Sequence, residues 1–214
     1  MRVVWLAGAA AVSLTLHLRA AYFGPAWQVY LFKPVTTTLI LLIALTAGAV
    51  ATRRYRTAIV VGLLFSLLGD VLLMLPRDLF VVGLGAFLLA HLAYLAAFTD
   101  GVGWRVAGWP TALYLAAAAG VLVYLWENLG TMRVPVIAYV AVIVLMAAQA
   151  AGRARTLGTD GSFAAARGAA LFVVSDATIA VDRFGEPFAA ATAVVMTTYV
   201  AAQLLIAVSA ARRS

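Results

Sequence analysis

Apolar runs follow one another along almost the whole chain, each broken off by a short polar interruption. The breaks fall at Arg53-Arg54, at Pro76-Arg77-Asp78, at Asp100-Gly101, at Glu127-Asn128, between Arg153 and Asp160, and between Arg183 and Pro187. A helix needs about 20 apolar residues, usually ~17–25, to cross the hydrocarbon core of a bilayer. Runs of that kind lie near 3–19, 33–51, 57–75, 79–98, 108–126, 134–151, 164–182 and 188–210. The spacing predicts an all-α membrane protein, a bundle of about eight transmembrane helices. The connections are too short to hold anything else, so residues 1–214 are expected to form a single integral membrane domain. Arg2, the apolar run after it and the small residues Ala20, Ala21 and Gly24 have the makings of a signal peptide. Because segments of the same kind continue behind it, the run reads as the first span. His17 falls at its ragged end and enters no site on this reading.

Composition agrees with the pattern. Hydrophobic residues are 65% and charged residues 11% of 214 positions, and mean hydropathy is +1.05, whereas a soluble domain is about half apolar and about a quarter charged. The net charge of +7 raises the question of nucleic acid. The fifteen basic residues, however, stand singly or in short groups between apolar runs, without the stripe or patch that nucleic acid requires. Basic loops at a membrane surface account for the charge better, and their distribution sets the orientation. Arg2, Arg53, Arg54, Arg56, Arg105, Arg153, Arg155, Arg167, Arg212 and Arg213 fall on one side, ten in all, against Arg19, Lys33, Arg77, Arg133 and Arg183 on the other. Both termini are therefore expected in the cytoplasm, with the protein crossing the bacterial cytoplasmic membrane several times. The chain has no cysteine, which excludes disulfides, iron–sulfur clusters and thiolate zinc sites. No cofactor and no metal are expected, and the oligomeric state stays open.

Ionisable groups inside spanning helices are costly and mark functional sites by default. The candidates are Lys33, Asp70, His91 and Asp176, with Tyr94, Tyr199 and Gln203 as polar companions. Asp70 lies six residues before Pro76 and Asp176 six before Asp182. At ~1.5 Å per residue, both sit about 9 Å below the same, non-cytoplasmic face. Lys33 enters from that face at the head of the second segment, with Thr36 and Thr37 a turn below. His91, in a segment running the other way, lies roughly 20 Å deep by the same rise. The two aspartates and the lysine are thus expected to form one cluster, with His91 and Tyr94 on the wall beneath. Asp182, Arg183 and Glu186 belong to the water boundary. A faint repeat is also visible: Gly69-Asp70 in the third segment followed by Tyr94 in the next, and, four segments on, Ser175-Asp176 followed by Tyr199 in the next, as in a parallel four-plus-four duplication.

Other chemistries find no support in the spacing. Two histidines on distant segments give no zinc-hydrolase pattern, no serine sits in a nucleophile elbow, and no strand precedes a glycine-rich phosphate loop. Carboxylic acids in a low-dielectric cavity remain. A transporter or lipid-binding protein could use the same charged cluster, although transport favours helices broken at mid-membrane and the prolines here sit mostly at segment ends. Buried charges that only fix helix registry are the third reading.

At these residues the chain resembles the YhhN family of multi-pass membrane proteins. The matching stretches are Lys33-Pro34-Val35-Thr36-Thr37-Thr38-Leu39-Ile40, then Ser66-Leu67-Leu68-Gly69-Asp70-Val71-Leu72-Leu73-Met74, then the segment from Gly83 to Phe98 with His91 and Tyr94. They continue with Gly168-Ala169-Ala170-Leu171-Phe172-Val173-Val174-Ser175-Asp176, Asp182-Arg183-Phe184, and Tyr199-Val200-Ala201-Ala202-Gln203-Leu204-Leu205-Ile206-Ala207. Each is short and apolar; their order and spacing over most of the chain are what is specific. Where some members carry two tyrosines, this chain has Thr198-Tyr199, so only Tyr199 is carried over. The resemblance implies an eight-helix hydrolase that cleaves the vinyl ether bond of lysoplasmalogens, giving a fatty aldehyde and a glycerophospho-ethanolamine or -choline. Its partners would be that lysophospholipid and the surrounding membrane lipids. Such a bond breaks by protonation of its β-carbon and capture of the resulting oxocarbenium ion by water. One carboxylic acid and one carboxylate suit that task, in parallel with the two-carboxylate logic of glycosidases. On this implication Asp70 and Asp176 are the catalytic pair. Lys33 and Arg183 would attract the phosphate, while His91, Tyr94, Tyr199 and Gln203 would line the slot and orient water.

Overall fold

A computed structural model describes residues 2–46, 52–106 and 108–210 of the chain. Eight α-helices account for nearly all of them: α1 (Arg2–Phe23), α2 (Ala26–Thr46), α3 (Arg53–Met74), α4 (Phe80–Thr99), α5 (Gly108–Leu125), α6 (Arg133–Leu157), α7 (Asp160–Phe184) and α8 (Ala191–Ser209). A 3₁₀ turn, Gly130–Met132, leads into α6. All eight helices are long and apolar enough to cross a membrane, and the described residues include no strand. In hydrocarbon every backbone N–H and C=O must find its partner within the segment, which leaves an apolar chain of this kind little choice but helix. Polar residues mark where helices start. The Thr52 hydroxyl accepts from the Tyr55 amide at 3.1 Å, and Thr159 and Ser162 cap α7 reciprocally.

Three elements depart most from the expected bounds: α1, α2 and α6, the last running on to Leu157, six residues past its expected end and through the polar Arg153 and Arg155. Helix α2 begins at Ala26, seven residues ahead of the predicted start, and runs straight through Lys33 and Pro34. The lysine–proline pair reads as a boundary in sequence because each is expensive inside a span. In the fold, hydroxyls gather around the proline turn: Thr36 Oγ1 and Ser13 Oγ donate to the Phe32 carbonyl at 2.7 and 3.1 Å. Helix α1 likewise runs on to Phe23, so His17 lies well inside it and is only 2% exposed, not at a frayed end. The expected end of the second segment at 51, and Arg212 and Arg213, lie outside the described residues.

The bundle is organised as two similar halves. Helices α3 and α4 form one close hairpin and α7 and α8 another, while α2 packs across onto α8 as α6 packs across onto α4. This is the arrangement of a parallel repeat in which α1–α4 correspond to α5–α8. Close approach in the first hairpin depends on glycine: a Cβ at Gly62 would lie 2.2 Å from the Tyr94 ring, and one at Gly69 would lie 2.6 Å from the Phe87 ring. The halves differ in their first helices. Helix α1 is tied to the start of α8 through Tyr22, whose hydroxyl donates to the Ala189 carbonyl at 2.9 Å and accepts from the Ala193 amide at 3.1 Å. Its counterpart α5 rests on α6 and α7, buries only Pro110 and Leu125, and brings no Cα within 8 Å of a Cα of α4. At the opposite end of the bundle Gln149, fully buried on α6, bonds the Phe98 and Gly103 carbonyls and the Arg105 amide, so the α4–α5 connection is clamped.

Candidate active site

The early start of α2 carries Lys33 about two helical turns into the bundle, at the level of Asp70 on α3. Its Nζ lies 3.5 Å from Asp70 Oδ1. The other carboxylate oxygen, Oδ2, accepts from Thr37 Oγ1 at 2.6 Å and from the Tyr199 hydroxyl at 2.7 Å. Asp70 is 1% exposed, so its charge is compensated inside the protein by a cation from α2 and two hydroxyls from α2 and α8. Removing one partner of such a pair costs ~3–5 kcal/mol, because an uncompensated charge is left behind.

Asp176 occupies the corresponding place on α7, with partners from the corresponding helices. Tyr139 of α6 donates its hydroxyl to Asp176 Oδ2, and His91 of α4 brings Nε2 to 3.7 Å from the same oxygen without hydrogen-bonding it. The symmetry stops at charge: Asp70 has a lysine, whereas Asp176 has a phenol and a histidine. Its side chain is 12% exposed, and the exposed part faces a slot between α4, α5, α6 and α7. The open space of this slot, counted out to its mouth, is ≈ 920 Å³. Phe80, Leu84, Phe87, Ala118, Val121 and Ile143 typify its walls, and Asp176 is the one ionisable carboxyl group in them; Tyr139 adds the phenol.

Of the eight residues singled out in the sequence, Asp176 alone lines the slot. His91 sits directly behind it, fully buried, edge-on to Phe172 at 4.6 Å and to Tyr139 at 5.3 Å between ring centroids. Tyr94 and Gln203 form another buried pair, the tyrosine hydroxyl donating to Gln203 Oε1 at 2.6 Å with Ser66 Oγ at 3.4 Å. Lys33, Asp70 and Tyr199 belong together on the far side of an aromatic wall. In that wall Phe87 meets Tyr199 at 5.9 Å and Phe172 at 6.4 Å between centroids. Each aspartate takes its own partners, Lys33, Thr37 and Tyr199 for Asp70, and Tyr139 and His91 for Asp176. Arg183 is in the last turn of α7 and half-exposed, and its guanidinium bonds both oxygens of Asp78 at 3.1 and 3.0 Å and covers the Phe80 ring. No three His, Asp or Glu side chains gather as metal ligands would among the described residues.

Sequence reasoning missed Tyr139. A single tyrosine in the run Val136-Ile137-Ala138-Tyr139-Val140 is indistinguishable from a packing residue until the helix opposite is known. It also treated Thr37 only as a neighbour of Lys33, although Thr37 supplies one of the two hydroxyls on Asp70.

Comparison with known proteins places the chain among relatives of one kind. The model of the YhhN family matches residues 28–210. The chain is 37% identical over 195 residues to the lysoplasmalogenase TMEM86A of Bos taurus, covering 87% of this chain and 80% of the relative. It is 35% identical over 181 residues to a lysoplasmalogenase of Mycobacterium bovis, covering 79% and 66%. It is 31% identical over 205 residues to the uncharacterized membrane protein YhhN of Escherichia coli O6:H1, covering 95% and 97%. No solved structure matches the chain.

Proposed function

The chain belongs to the YhhN family, and from that membership we propose that it is a lysoplasmalogenase, hydrolysing the vinyl ether bond of a lysoplasmalogen within the membrane. The observation that carries the reading is Asp176: one carboxyl group in the wall of a slot otherwise made of hydrocarbon and a phenol. A lipid chain lying there brings its ether end against a proton donor with little water to compete.

The reaction adds one water across the bond. The acid form of Asp176 gives its proton to the β-carbon of the vinyl ether, and the adjacent carbon becomes an oxocarbenium ion. The carboxylate so formed stands beside that cation and stabilises it, which in a water-poor site is the larger part of the catalysis. Water adds to the cationic carbon while Asp176 takes its proton, regenerating the acid. The hemiacetal then breaks, its hydroxyl proton passing to the glyceryl oxygen, to give a fatty aldehyde and the glycerophospho-alcohol. Tyr139, bonded to Asp176 Oδ2, fixes the carboxyl rotamer and leaves the other oxygen to face the chain. His91, 3.7 Å away, is placed to pass protons once a water bridges the gap. Acid–base assistance of this kind contributes ~10²–10⁴-fold.

Asp70 takes a different part in this proposal. Its three partners and its burial suit a carboxylate that ties α2, α3 and α8 together and holds Tyr199 against the aromatic wall. Tyr94 and Gln203 brace the same core. We place both termini on the cytoplasmic side by the distribution of basic residues, so the slot lies toward the opposite leaflet. Incubating the purified protein with a lysoplasmalogen and with the matching ester lysophospholipid tests the function. The proposal expects aldehyde from the first and no fatty acid from the second; fatty acid from the ester would make it an ordinary lysophospholipase. A transporter would give neither product.

A further inference from the structure

The slot has two conceivable entrances, one along the bundle axis and one through its side. At the water-facing end, Phe80 and Phe184 meet edge to face with centroids 5.6 Å apart, and both residues line the slot. Arg183 lies over Phe80, 5.1 Å from the ring centroid, and is held there by both oxygens of Asp78. An aromatic pair fastened by an ion pair therefore caps the axial route.

The side is different. Helices α4 and α5 both contribute wall, Phe80, Leu84 and Phe87 from one and Ala117, Ala118 and Val121 from the other, yet no Cα of one comes within 8 Å of a Cα of the other. In the other half of the molecule the equivalent seam is shut, because α1 is bonded to α8 through Tyr22. The repeat is broken where an opening in the membrane wall would be needed.

Resting on the hydrolase reading above, we propose that the seam between α4 and α5 is a lateral portal, through which a single hydrocarbon chain passes from the bilayer into the slot. A lipid chain already lies in hydrocarbon, and every methylene drawn through water on an axial path is penalised; a side entrance avoids that passage. The slot's walls are hydrocarbon apart from Asp176 and Tyr139, which suits the single hydrocarbon tail of a lysolipid lying along them. Ala117 and Ala118 set the bore, because any larger side chain on that face of α5 occupies the path of the chain. Arg183, on this account, closes the end of the slot with Asp78 and is a positioning residue.

Because the chain has no cysteine, the seam can be closed after folding. In a Leu84→Cys, Val121→Cys protein, one residue on each side of the slot, a bismaleimide bridges α4 to α5, while N-ethylmaleimide modifies the same thiols without bridging. A lysophospholipid with a diazirine in its tail reports occupancy, and aldehyde release reports turnover. Bridging is expected to lower photolabelling of α5 and α6 peptides and aldehyde release together by at least ~10-fold relative to the N-ethylmaleimide sample. Undiminished labelling and turnover in the bridged protein, or unbridged protein labelled only elsewhere, overturns the portal. Slot labelling without aldehyde from any lysoplasmalogen leaves the portal standing and defeats the hydrolase reading instead. As a second variant, Ala118→Trp should raise KM for long-chain substrates more than for short ones, whereas Ala119→Trp, on the exposed face of α5, should not. Equal effects on both chain lengths count against the bore.

Discussion

Asp70 on α3 and Asp176 on α7 occupy corresponding places in the two halves but have different partners. Asp70 is neutralised by Lys33 and two hydroxyls; Asp176 meets a phenol and the edge of an apolar slot. Asp70→Asn should therefore act first on stability, because it strands Lys33 at a cost of ~3–5 kcal/mol. Thermal unfolding in detergent should show a large loss for Asp70→Asn and substantial recovery when Lys33→Met is added. If the recovered double variant also releases aldehyde, Asp70 is a positioning residue; folded but inactive protein would return it to the chemistry. Tyr139→Phe removes one hydrogen bond to Asp176 and little else. Initial rates should fall roughly 10- to 100-fold, the kinetic equivalent of the ~1.5–3 kcal/mol of a hydrogen bond to a charged group; unchanged rates would show that Tyr139 only packs. Asp70, Asp176 and Lys33 were legible in the sequence because a charge in an apolar run has no cheap explanation. Tyr139 was not, since a tyrosine in such a run is ordinary.

Eight apolar runs announced eight helices, because hydrophobic length is a direct requirement of the bilayer. The start of α2 escaped for a related reason: its cost at Lys33 is repaid by Asp70, a residue 37 positions away that no local window includes. Seven further residues of helix took Lys33 from the head of a span to the depth of its partner. Packing between elements was legible only as glycines of unknown purpose. Gly69 proves to be the seat of Phe87, which walls the slot on one face and meets Tyr199 on the other. A methyl group there meets the ring at 2.6 Å, so Gly69→Ala should cost ~1–3 kcal/mol in overpacking and, by shifting Phe87, also slow turnover. A variant that keeps both its unfolding temperature and its rate would show that Phe87 has room to give.

Across the whole molecule, the faint recurrence of an aspartate and a tyrosine four helices apart corresponds to a real resemblance between halves, though not in the way the spacing suggested. Each aspartate takes partners from two corresponding helices, α2 and α8 for Asp70, α6 and α4 for Asp176. The tyrosine that echoes Tyr199, Tyr94, bonds Gln203 instead. One half surrounds its aspartate with a lysine and two hydroxyls; the other leaves its aspartate in the wall of an apolar slot. No spacing rule conveys that difference, because it depends on how far α5 stands from α4. The distribution of basic residues, ten against five, predicts cytoplasmic termini. A fluorescent protein fused to the carboxyl end should therefore fluoresce, and alkaline phosphatase inserted after Asn128 should be active; the reverse pattern would invert the bundle and move the slot to the other leaflet.

The central claim is that a single carboxyl group facing a hydrocarbon slot cleaves the ether. Its most direct test is aldehyde release from lysoplasmalogen by wild-type and Asp176→Asn protein, purified alike and matched for unfolding temperature. Wild-type turnover with a loss of at least ~10²-fold in the variant, the lower bound for removing a general acid, is the predicted result. A folded Asp176→Asn protein that releases aldehyde at near the wild-type rate would contradict it.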